Sequence, residues 1–356
     1  MCETKYAAFQ FPILIFTKTK IFIMPQRFLV ILSVIILLSS CKQQADYTQL
    51  LGFTQGTTYN IIYDSPDHYR AEIDSLLAEF DTSLSSYNQA SIISRINRNE
   101  EEVQVDEFFK TVFNTSQEIS KLSDGAFDIT VGPIVRAYGF GFSNRETIST
   151  DLIDSLLEFV DYNLVRLEGN LVIKDHLNTR LDVNAIAQGY AVDVLAEYLE
   201  SRGRQNYLVE IGGEVKTKGL NRTGELWRVG VDKPIDDTAG VAQHELQAVI
   251  ALQNKSLATS GNYRKFYIEN GVKYAHTIDP RIGMPVQHKL LSATVVADDC
   301  MTADAYATAF MVMGAEEALE FANKNGIDVY LIVADTDSTY TIQQTAGFKA
   351  FLAEEF

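Results

Sequence analysis

Apolar residues recur along the chain at two spacings, one typical of strands and the other typical of helices. Residues 57–63 are expected to form a strand. The apolar positions that follow are mostly three or four residues apart, which predicts an amphipathic helix: Tyr69, Ile73, Leu76, Leu77 and Phe80. Similar spacing predicts a second helix at Val105, Phe109, Val112, Phe113, Ile119 and Leu122. Strands and helices are thus mixed from the start of the chain.

Two short polar segments predict β-hairpins. Glu168-Gly169-Asn170 separates residues 164–167 from 171–173, and Asn270-Gly271 separates residues 266–268 from 272–274. The Asn-Gly pair is the stronger signal, because both residues tolerate the positive φ of a type I′ turn. Helices are also predicted at 185–200, around Asp304 and at 315–324, with strands at 207–211, 291–297 and 328–334. Without an internal repeat or a strong linker after Tyr47, these elements predict one compact α+β unit, in one lobe or two.

The N-terminus carries a separate signal. Residues 28–38 are predominantly apolar, follow Arg27 and end in Leu38-Ser39-Ser40-Cys41. The run is too short for a membrane-spanning helix, which needs about 20 residues. It is typical of a secretory signal peptide, and its end resembles a bacterial lipobox, so Cys41 is expected to become a lipid-modified N-terminus. The alternative is an ordinary signal peptide that is cut elsewhere, with Cys41 incidental.

These features predict the organisation of the chain. Met24, followed by Pro25, is the expected true start, so residues 1–40 are a leader and signal peptide, 41–49 a tether and 50–356 the folded domain. The protein is expected to be exported and anchored to a lipid membrane, on the periplasmic face of a bacterial cell membrane. Cys300 is then the one cysteine of the folded part, and a single thiol cannot close an internal disulfide. It is interpreted as a buried, small apolar residue.

The composition excludes some classes of protein. A chain of 356 residues with 46% hydrophobic and 22% charged residues is typical of a globular protein with a substantial core. Its net charge of −17, from 47 acidic and 30 basic residues, disfavours nucleic-acid binding, which depends on basic patches. The same charge disfavours electrostatic docking on anionic lipid.

Asp304 and Thr308 are the first candidates for chemistry. They lie four residues apart, so they share one face of the predicted helix. A carboxylate and a hydroxyl are hard oxygen ligands, which suit Mg²⁺. Alone, the pair is more typical of a helix N-terminus with a solvated face, so other segments have to decide.

Three further segments favour the metal site over a solvated helix N-terminus. They are Asp-Gly-Ala-Phe-Asp-Ile-Thr-Val-Gly-Pro at 124–133, Leu-Asp-Val-Asn-Ala-Ile-Ala-Gln-Gly-Tyr-Ala-Val-Asp at 181–193, and Ala-Thr-Ser-Gly-Asn-Tyr-Arg at 258–264 followed by His-Thr-Ile-Asp-Pro-Arg-Ile-Gly at 276–283. Together with residues 303–308 they resemble the FAD:protein FMN transferases, the ApbE family. The resemblance runs in order from about residue 56 to about residue 314.

The resemblance implies a fold, an activity and a metal site. The fold would be the ApbE-like, T-fold-like arrangement of mixed helices and strands. The activity would be Mg²⁺-dependent transfer of FMN from FAD to a threonine or serine hydroxyl of an acceptor protein, with release of AMP. The family's acceptors include flavin-carrying subunits of membrane redox complexes. The metal ligands would be the Asp304 carboxylate, the Thr308 hydroxyl and the Ala185 backbone carbonyl, with Asp304 essential for catalysis.

The resemblance also implies a flavin pocket. Tyr87 would place its ring against the isoalloxazine, and Ala126, Phe127 and Asp128 would line the pocket. Asp182 would contact the flavin, although an aspartate after a strand is otherwise typical of a helix N-cap. An isolated aromatic such as Tyr87 is likewise more typical of a core.

The remaining implied residues concern phosphate binding and proton transfer. Ser260, Gly261 and Arg264 would offer a hydroxyl, an amide and a guanidinium to phosphate. His276 would be the general base or a ligand contact, because a neutral imidazole can accept a proton near pH 7. Gln188 departs from the lysine of many family members; it could donate a hydrogen bond to flavin or phosphate, but it brings no charge.

Two other functions remain open from the sequence. One is a metal-dependent FAD pyrophosphatase, which would release FMN and AMP to water. The other is a flavin-binding lipoprotein without catalysis, which the loss of lysine at position 188 would permit. The carboxylate and hydroxyl at 304 and 308 favour catalysis, because simple binding needs no metal at the scissile bond.

Overall fold

A computed structural model of the chain describes residues 46–139, 148–234, 245–262, 266–269, 272–275, 277–336 and 339–356. Cys41, Arg264 and His276 lie outside the described residues, as do Asn270 and Gly271. Ala45–Phe356 forms one compact unit. Within the described ranges, no helix combines the length and the apolar character needed to cross a membrane.

The α-helices and strands follow one another along the whole unit. The helices are α1 (Arg70–Leu84), α2 (Ile92–Asn97), α3 (Glu107–Leu122), α4 (Gly132–Ala137), α5 (Thr150–Leu157), α6 (Ala187–Ser201), α7 (Cys300–Met313) and α8 (Ala315–Asn325). The strands of the first two-thirds of the chain are β1 (Thr48–Thr54), β2 (Thr57–Tyr63), β3 (Val165–Glu168), β4 (Leu171–Lys174), β5 (Tyr207–Ile211), β6 (Glu214–Lys218) and β7 (Trp227–Asp232). The later strands are β8 (Leu246–Leu252), β9 (Ser256–Gly261), β10 (Phe266–Glu269), β11 (Val272–Ala275), β12 (Ile278–Asp279), β13 (Met284–Pro285), β14 (Leu290–Ala297), β15 (Asp328–Thr336), β16 (Thr339–Gln344) and β17 (Leu352–Glu355).

An eight-stranded sheet organises the unit. Its strand order is β1-β2-β5-β6-β9-β14-β15-β16, and the paired strands are antiparallel. Helices α6 and α7 pack on one face, where the main core lies. A second, three-stranded sheet of order β17-β8-β7 contributes to a separate apolar cluster that contains Ile250, Tyr330 and Phe348. The structure therefore confirms the predicted α+β class.

Local sequence explains where three of the helices begin or end. Asp106 caps α3, because its side chain accepts a hydrogen bond from the Phe109 N–H. Asp299 caps α7 by accepting from the Thr302 N–H at 2.7 Å. Gly326, with φ 67°, ends α8 in the left-handed conformation that glycine adopts readily.

The predicted elements mostly match the observed ones. The strand at 57–63, the helices carrying Ile73 and Phe109, and the late strands are confirmed. Both predicted hairpins are present as antiparallel pairs, β3 with β4 and β10 with β11. The helix predicted at 185–200 begins two residues later, at Ala187, because Ile186 has a non-helical φ of −150°.

Helices α6 and α7 approach each other closely at Gly189. A Cβ atom placed there would lie 2.8 Å from the Asp304 Cβ and 2.8 Å from the Cys300 carbonyl carbon. Small residues also occupy much of α7, where Ala303, Ala305, Ala307 and Ala309 are fully buried. The crossing therefore depends on the absence of a side chain at position 189.

Gly189→Ala tests this crossing, because the sign of the change in the free energy of unfolding depends on it. In an unconstrained helix, alanine would be more stable than glycine by about 0.5–1 kcal/mol. Here the new methyl group would force the helices apart, and overpacking costs about 1–3 kcal/mol. Urea denaturation should therefore show a lower free energy of unfolding for the variant. Ser201→Ala, at the exposed end of the same helix, serves as the control; a Gly189→Ala protein as stable as wild type would contradict the account.

Candidate active site

The candidate site lies where the start of α6 meets α7. The Gly189 N–H donates a hydrogen bond of 3.0 Å to the Asp304 carboxylate. Asp304 is buried, with 6% of its surface exposed. The glycine needed for the close helix crossing thus also brings a backbone donor to the carboxylate.

A buried ion pair holds the first turn of α7 in position. The Asp193 carboxylate, on α6, accepts hydrogen bonds from the Cys300 N–H at 2.9 Å and from the Met301 N–H at 2.8 Å. The Lys216 ammonium, on β6, donates to the same carboxylate at 2.7 Å. A negative charge at a helix N-terminus is favourable, because the unpaired N–H groups there carry partial positive charge. Asp304 follows in the next turn, so its position is fixed from α6 and β6.

Among the described residues, no cation contributes to the pKa of the Asp304 carboxyl. Burial raises its pKa to about 7, the nearby Asp193 charge adds to the increase, and the Gly189 hydrogen bond opposes it. Glu214 is buried as well, and burial together with the Asp304 charge raises its pKa well above the usual range. Two neighbouring buried carboxyl groups would be stabilised in their charged forms by a divalent cation.

The Ala185 carbonyl is available as a ligand. In a regular helix it would accept from the N–H four residues ahead, which belongs to Gly189. That N–H donates to Asp304 instead, and the Ala185 carbonyl accepts no hydrogen bond from the described residues. A carbonyl without its helical partner, four residues before the amide that binds a buried carboxylate, is available as a metal ligand.

Thr308 completes a set of three oxygen donors. It lies one turn after Asp304 on α7, and its hydroxyl is 3.2 Å from the Ser260 hydroxyl of β9. Among the described residues, no group of three or more His, Cys, Asp or Glu side chains is placed to hold a metal. A carboxylate, a hydroxyl and a carbonyl nevertheless fit Mg²⁺, which takes few protein ligands and keeps several waters.

Gln188 is bound within the protein. Its side-chain amide donates to the Ile211 carbonyl at 3.0 Å and to the Glu214 carboxylate. Both N–H groups of the amide are thus in use, so this arrangement leaves only the amide oxygen for a ligand. In this structure the amide N–H groups of Gln188 bind the β5–β6 turn, and its expected contact with flavin or phosphate stays a prediction.

Tyr87 and Asp182 are neighbours at the surface of the site. The Tyr87 ring is 54% exposed, and partial burial together with the Asp182 charge raises its pKa. The Asp182 carboxylate accepts from the Asn184 N–H at 2.9 Å. Its interpretation as an N-cap is wrong, because α6 begins at Ala187 and Ile186 occupies the cap position. Tyr87 is not a core residue, so its ring face is accessible to a planar ligand.

The segment 126–131 runs beside the segment that contains Asp182. The Asp182 N–H donates to the Ile129 carbonyl at 2.7 Å, and Val131 forms a parallel bridge with Arg180. Ala126 and Phe127 are buried, with Phe127 in the main core. Asp128 is also buried, which raises its pKa to about 6, and it accepts from the Thr130 N–H and hydroxyl. The fold therefore brings this sequence motif next to Asp182.

The third motif is described only in part. Ser260 and Gly261 lie at the end of β9 and are partly exposed. Asn262 accepts a hydrogen bond of 2.6 Å from the Thr277 hydroxyl, so the two halves of the motif meet. The predicted roles of Arg264 and His276 stay predictions, because both residues lie outside the described part.

Sequence reasoning missed the supporting residues. Asp193 and Lys216 were not recognised as a pair, and Glu214 was not recognised as a neighbour of Asp304. The available signal was position: Asp193 lies four residues after Gly189, on the helix face that is buried. Cys300 is confirmed as buried, and burial raises the pKa of its thiol well above the usual range.

Known proteins resemble this chain over most of its length. The family model described as "ApbE family" matches residues 55–331. The FAD:protein FMN transferase of Vibrio cholerae is 38% identical over 340 residues, covering 92% of this chain and 100% of the relative. That of Haemophilus influenzae is 35% identical over 328 residues, covering 88% and 93%.

Solved structures show the same likeness in three dimensions. The flavin transferase ApbE from Vibrio cholerae superposes with a TM-score of 0.77 at 38% identity, covering 86% of this chain and 100% of the other. The apo form of the Pseudomonas stutzeri flavinyl transferase ApbE gives a TM-score of 0.78 at 30% identity, covering 88% and 99%. On the evidence of its motifs, fold and relatives, this chain belongs to the ApbE family.

Proposed function

We propose that the protein transfers FMN from FAD to a threonine or serine hydroxyl of an acceptor protein and releases AMP. The observation that carries this proposal is the set of oxygen donors around buried Asp304, with the Ala185 carbonyl left unpaired beside it. The relatives named FAD:protein FMN transferase support the same activity. Simple flavin binding would not need a carboxylate held in this way.

The reaction exchanges one phosphorus–oxygen bond for another. The acceptor hydroxyl oxygen forms a bond to the FMN phosphorus, and the bond from that phosphorus to the bridging oxygen breaks, so that AMP leaves with the bonding electron pair. The hydroxyl proton passes to a base, for which His276 is the proposed residue. Bound Mg²⁺ would neutralise the negative charge of the diphosphate and of the leaving phosphate.

The described residues would hold the reactants. The Asp304 carboxylate, the Thr308 hydroxyl and the Ala185 carbonyl would hold the metal. Tyr87 offers an exposed ring for the isoalloxazine, with Asp182 beside it. Glu214 and Gln188 fix the β5–β6 turn against the start of α6.

Asp304→Ala tests the proposed metal site. Removing the only charged ligand should abolish transfer, while FAD binding through the flavin changes only modestly. The assay follows FMN, AMP and flavin-labelled acceptor by chromatography with FAD, Mg²⁺ and a candidate acceptor. Ser292→Ala, a buried hydroxyl without a partner among the described residues, is a matched control that should keep its activity.

The same assay separates the alternative functions. Flavin that stays on the acceptor after denaturation supports transfer. Equal release of FMN and AMP without labelled acceptor would support a pyrophosphatase instead. Wild-type turnover by Asp304→Ala in Mg²⁺ would refute the metal site.

We also infer that the mature protein is an exported lipoprotein attached to a membrane through acylated Cys41. The support is the sequence alone: an apolar signal-like run followed by Leu38-Ser39-Ser40-Cys41. A membrane location would suit acceptors that are flavin-carrying subunits of membrane redox complexes. Intact-mass measurement of membrane-extracted protein should show the added acyl chains, and Cys41→Ser should lack them. A wild-type mass without lipid would contradict the anchor.

A further inference from the structure

The first strand, β1, forms one edge of the eight-stranded sheet. It pairs with β2 in a register without shifts, and the described strands leave its other side open. The Thr58 carbonyl of β2 accepts from the Gly212 N–H at 3.0 Å, on the side of β5. Its neighbour Thr57 therefore turns its N–H and C=O toward β1, where it lies opposite Thr54.

The same alternation determines which backbone groups of β1 are open. Because Thr54 bonds to β2, every second residue back from Phe53 turns its N–H and C=O to the open edge, which gives Phe53, Leu51 and Gln49. The Leu51 carbonyl accepts from the Arg70 guanidinium at 2.8 Å, in agreement with this orientation. The other open groups of these three residues form no backbone hydrogen bond with the described residues.

β1 lacks the features that usually protect an edge strand. Residues 47–63 contain no charged side chain, although the chain has 47 acidic and 30 basic residues. β1 also contains no proline and no bulge. Its Leu51 and Phe53 side chains are 61% and 72% exposed and lie on one face. Open edges of this kind pair readily with another polypeptide.

The open edge ends beside the candidate site. A Cβ atom on Gly212, in the β5–β6 turn, would lie 2.7 Å from the Thr57 Cγ2 and would also meet the Gln188 amide. Gln188 precedes Gly189, whose N–H binds the Asp304 carboxylate. The β1–β2 turn is therefore at the end of the sheet where α6 begins and the site lies.

We propose that an extended segment of the acceptor protein pairs with β1 as an added strand, which brings its threonine or serine to the site. The proposal rests on the function proposed above. The occupant is a polypeptide and not lipid, because open N–H and C=O groups need hydrogen-bond partners that hydrocarbon does not offer. The acceptor is favoured over a second copy of this chain, because a strand that continues past the β1–β2 turn reaches the site, which only a substrate requires.

This mode of binding also predicts the character of the acceptor segment. Main-chain hydrogen bonds would supply affinity and fix its register, and its alternate side chains would supply specificity. The side chains that meet Leu51 and Phe53 would be uncharged, because this surface offers no charged partner.

Leu51→Pro tests the main-chain contacts, with the flavin-carrying domain of a membrane redox subunit as the acceptor. Proline removes an open N–H but no bond to β2, so the strand is expected to remain. Loss of this contact should raise the acceptor KM about tenfold. Leu51→Ala keeps the N–H and should raise the KM less. FAD binding, measured by flavin fluorescence, should match wild type in both variants.

Leu177→Ala is the matched control, because it removes the same side chain from an equally exposed position, 67% accessible, outside the sheet. It should leave the acceptor KM and the dissociation constant of FAD unchanged. A Leu51→Pro protein with the wild-type KM would overturn the proposal.

Hydrogen exchange of the full-length protein gives a readout that does not depend on transfer. The amides of Gln49, Leu51 and Phe53 should exchange freely in the protein alone and become protected when the acceptor domain is added. Protection that grows with the concentration of the protein alone would assign the edge to a second copy, and protection only on phosphatidylcholine vesicles would assign it to the membrane. Either result, or unchanged exchange with the acceptor domain, refutes the proposal. If the domain protects these amides but receives no FMN, the proposed function fails and the docking edge stands.

Discussion

The Asp193 carboxylate is the contact on which the rest of the site depends. It joins α6, which carries it, to the first N–H groups of α7 and to the Lys216 ammonium of β6. These three elements carry Gly189, Asp304 and Glu214, so one buried carboxylate sets their relative positions. Removing one partner of a buried, hydrogen-bonded ion pair typically costs about 3–5 kcal/mol. Loss of either Asp193 or Lys216 is therefore expected to disturb the site strongly, although neither residue belongs to the proposed metal ligands.

The start of α6 departs from regular helical hydrogen bonding at the candidate site. The Gly189 N–H binds Asp304 and leaves the Ala185 carbonyl without its helical partner. The same defect explains why α6 begins at Ala187 and why an alanine, which offers no side-chain ligand, belongs to the proposed metal site. Conformational freedom at Gly189 is not the reason for the glycine; the close approach of α7 is.

Much of the fold could be predicted from periodicity, because its signals are local. The strand β2, helices α1 and α3 and the hairpin β3–β4 each have their pattern within a few residues. The second sheet could not be predicted in this way. Its strand β17 pairs with β8, which is about a hundred residues earlier in the chain, and register between distant strands leaves no local pattern.

In the candidate site, too, local features could be predicted from the sequence and contacts between distant segments could not. Asp304 and Thr308 could be paired from helical spacing, and the family motifs supplied Ala185 and Asp182. The partner of Gln188 could not be foreseen, because Glu214 reaches it only through the turn between β5 and β6. The Asp193–Lys216 pair was missed for a similar reason: a helix residue and a strand residue meet only after the sheet has formed.

The central claim is that Asp304, Thr308 and the Ala185 carbonyl form a metal centre for chemistry on FAD. Manganese can replace magnesium at oxygen ligands and is located directly by its anomalous scattering. Crystals of the mature protein grown with Mn²⁺ and FAD should show an anomalous peak in contact with these three oxygens and with the FAD diphosphate. Bound FAD with no peak there, or a manganese ion held by other residues, would contradict the account.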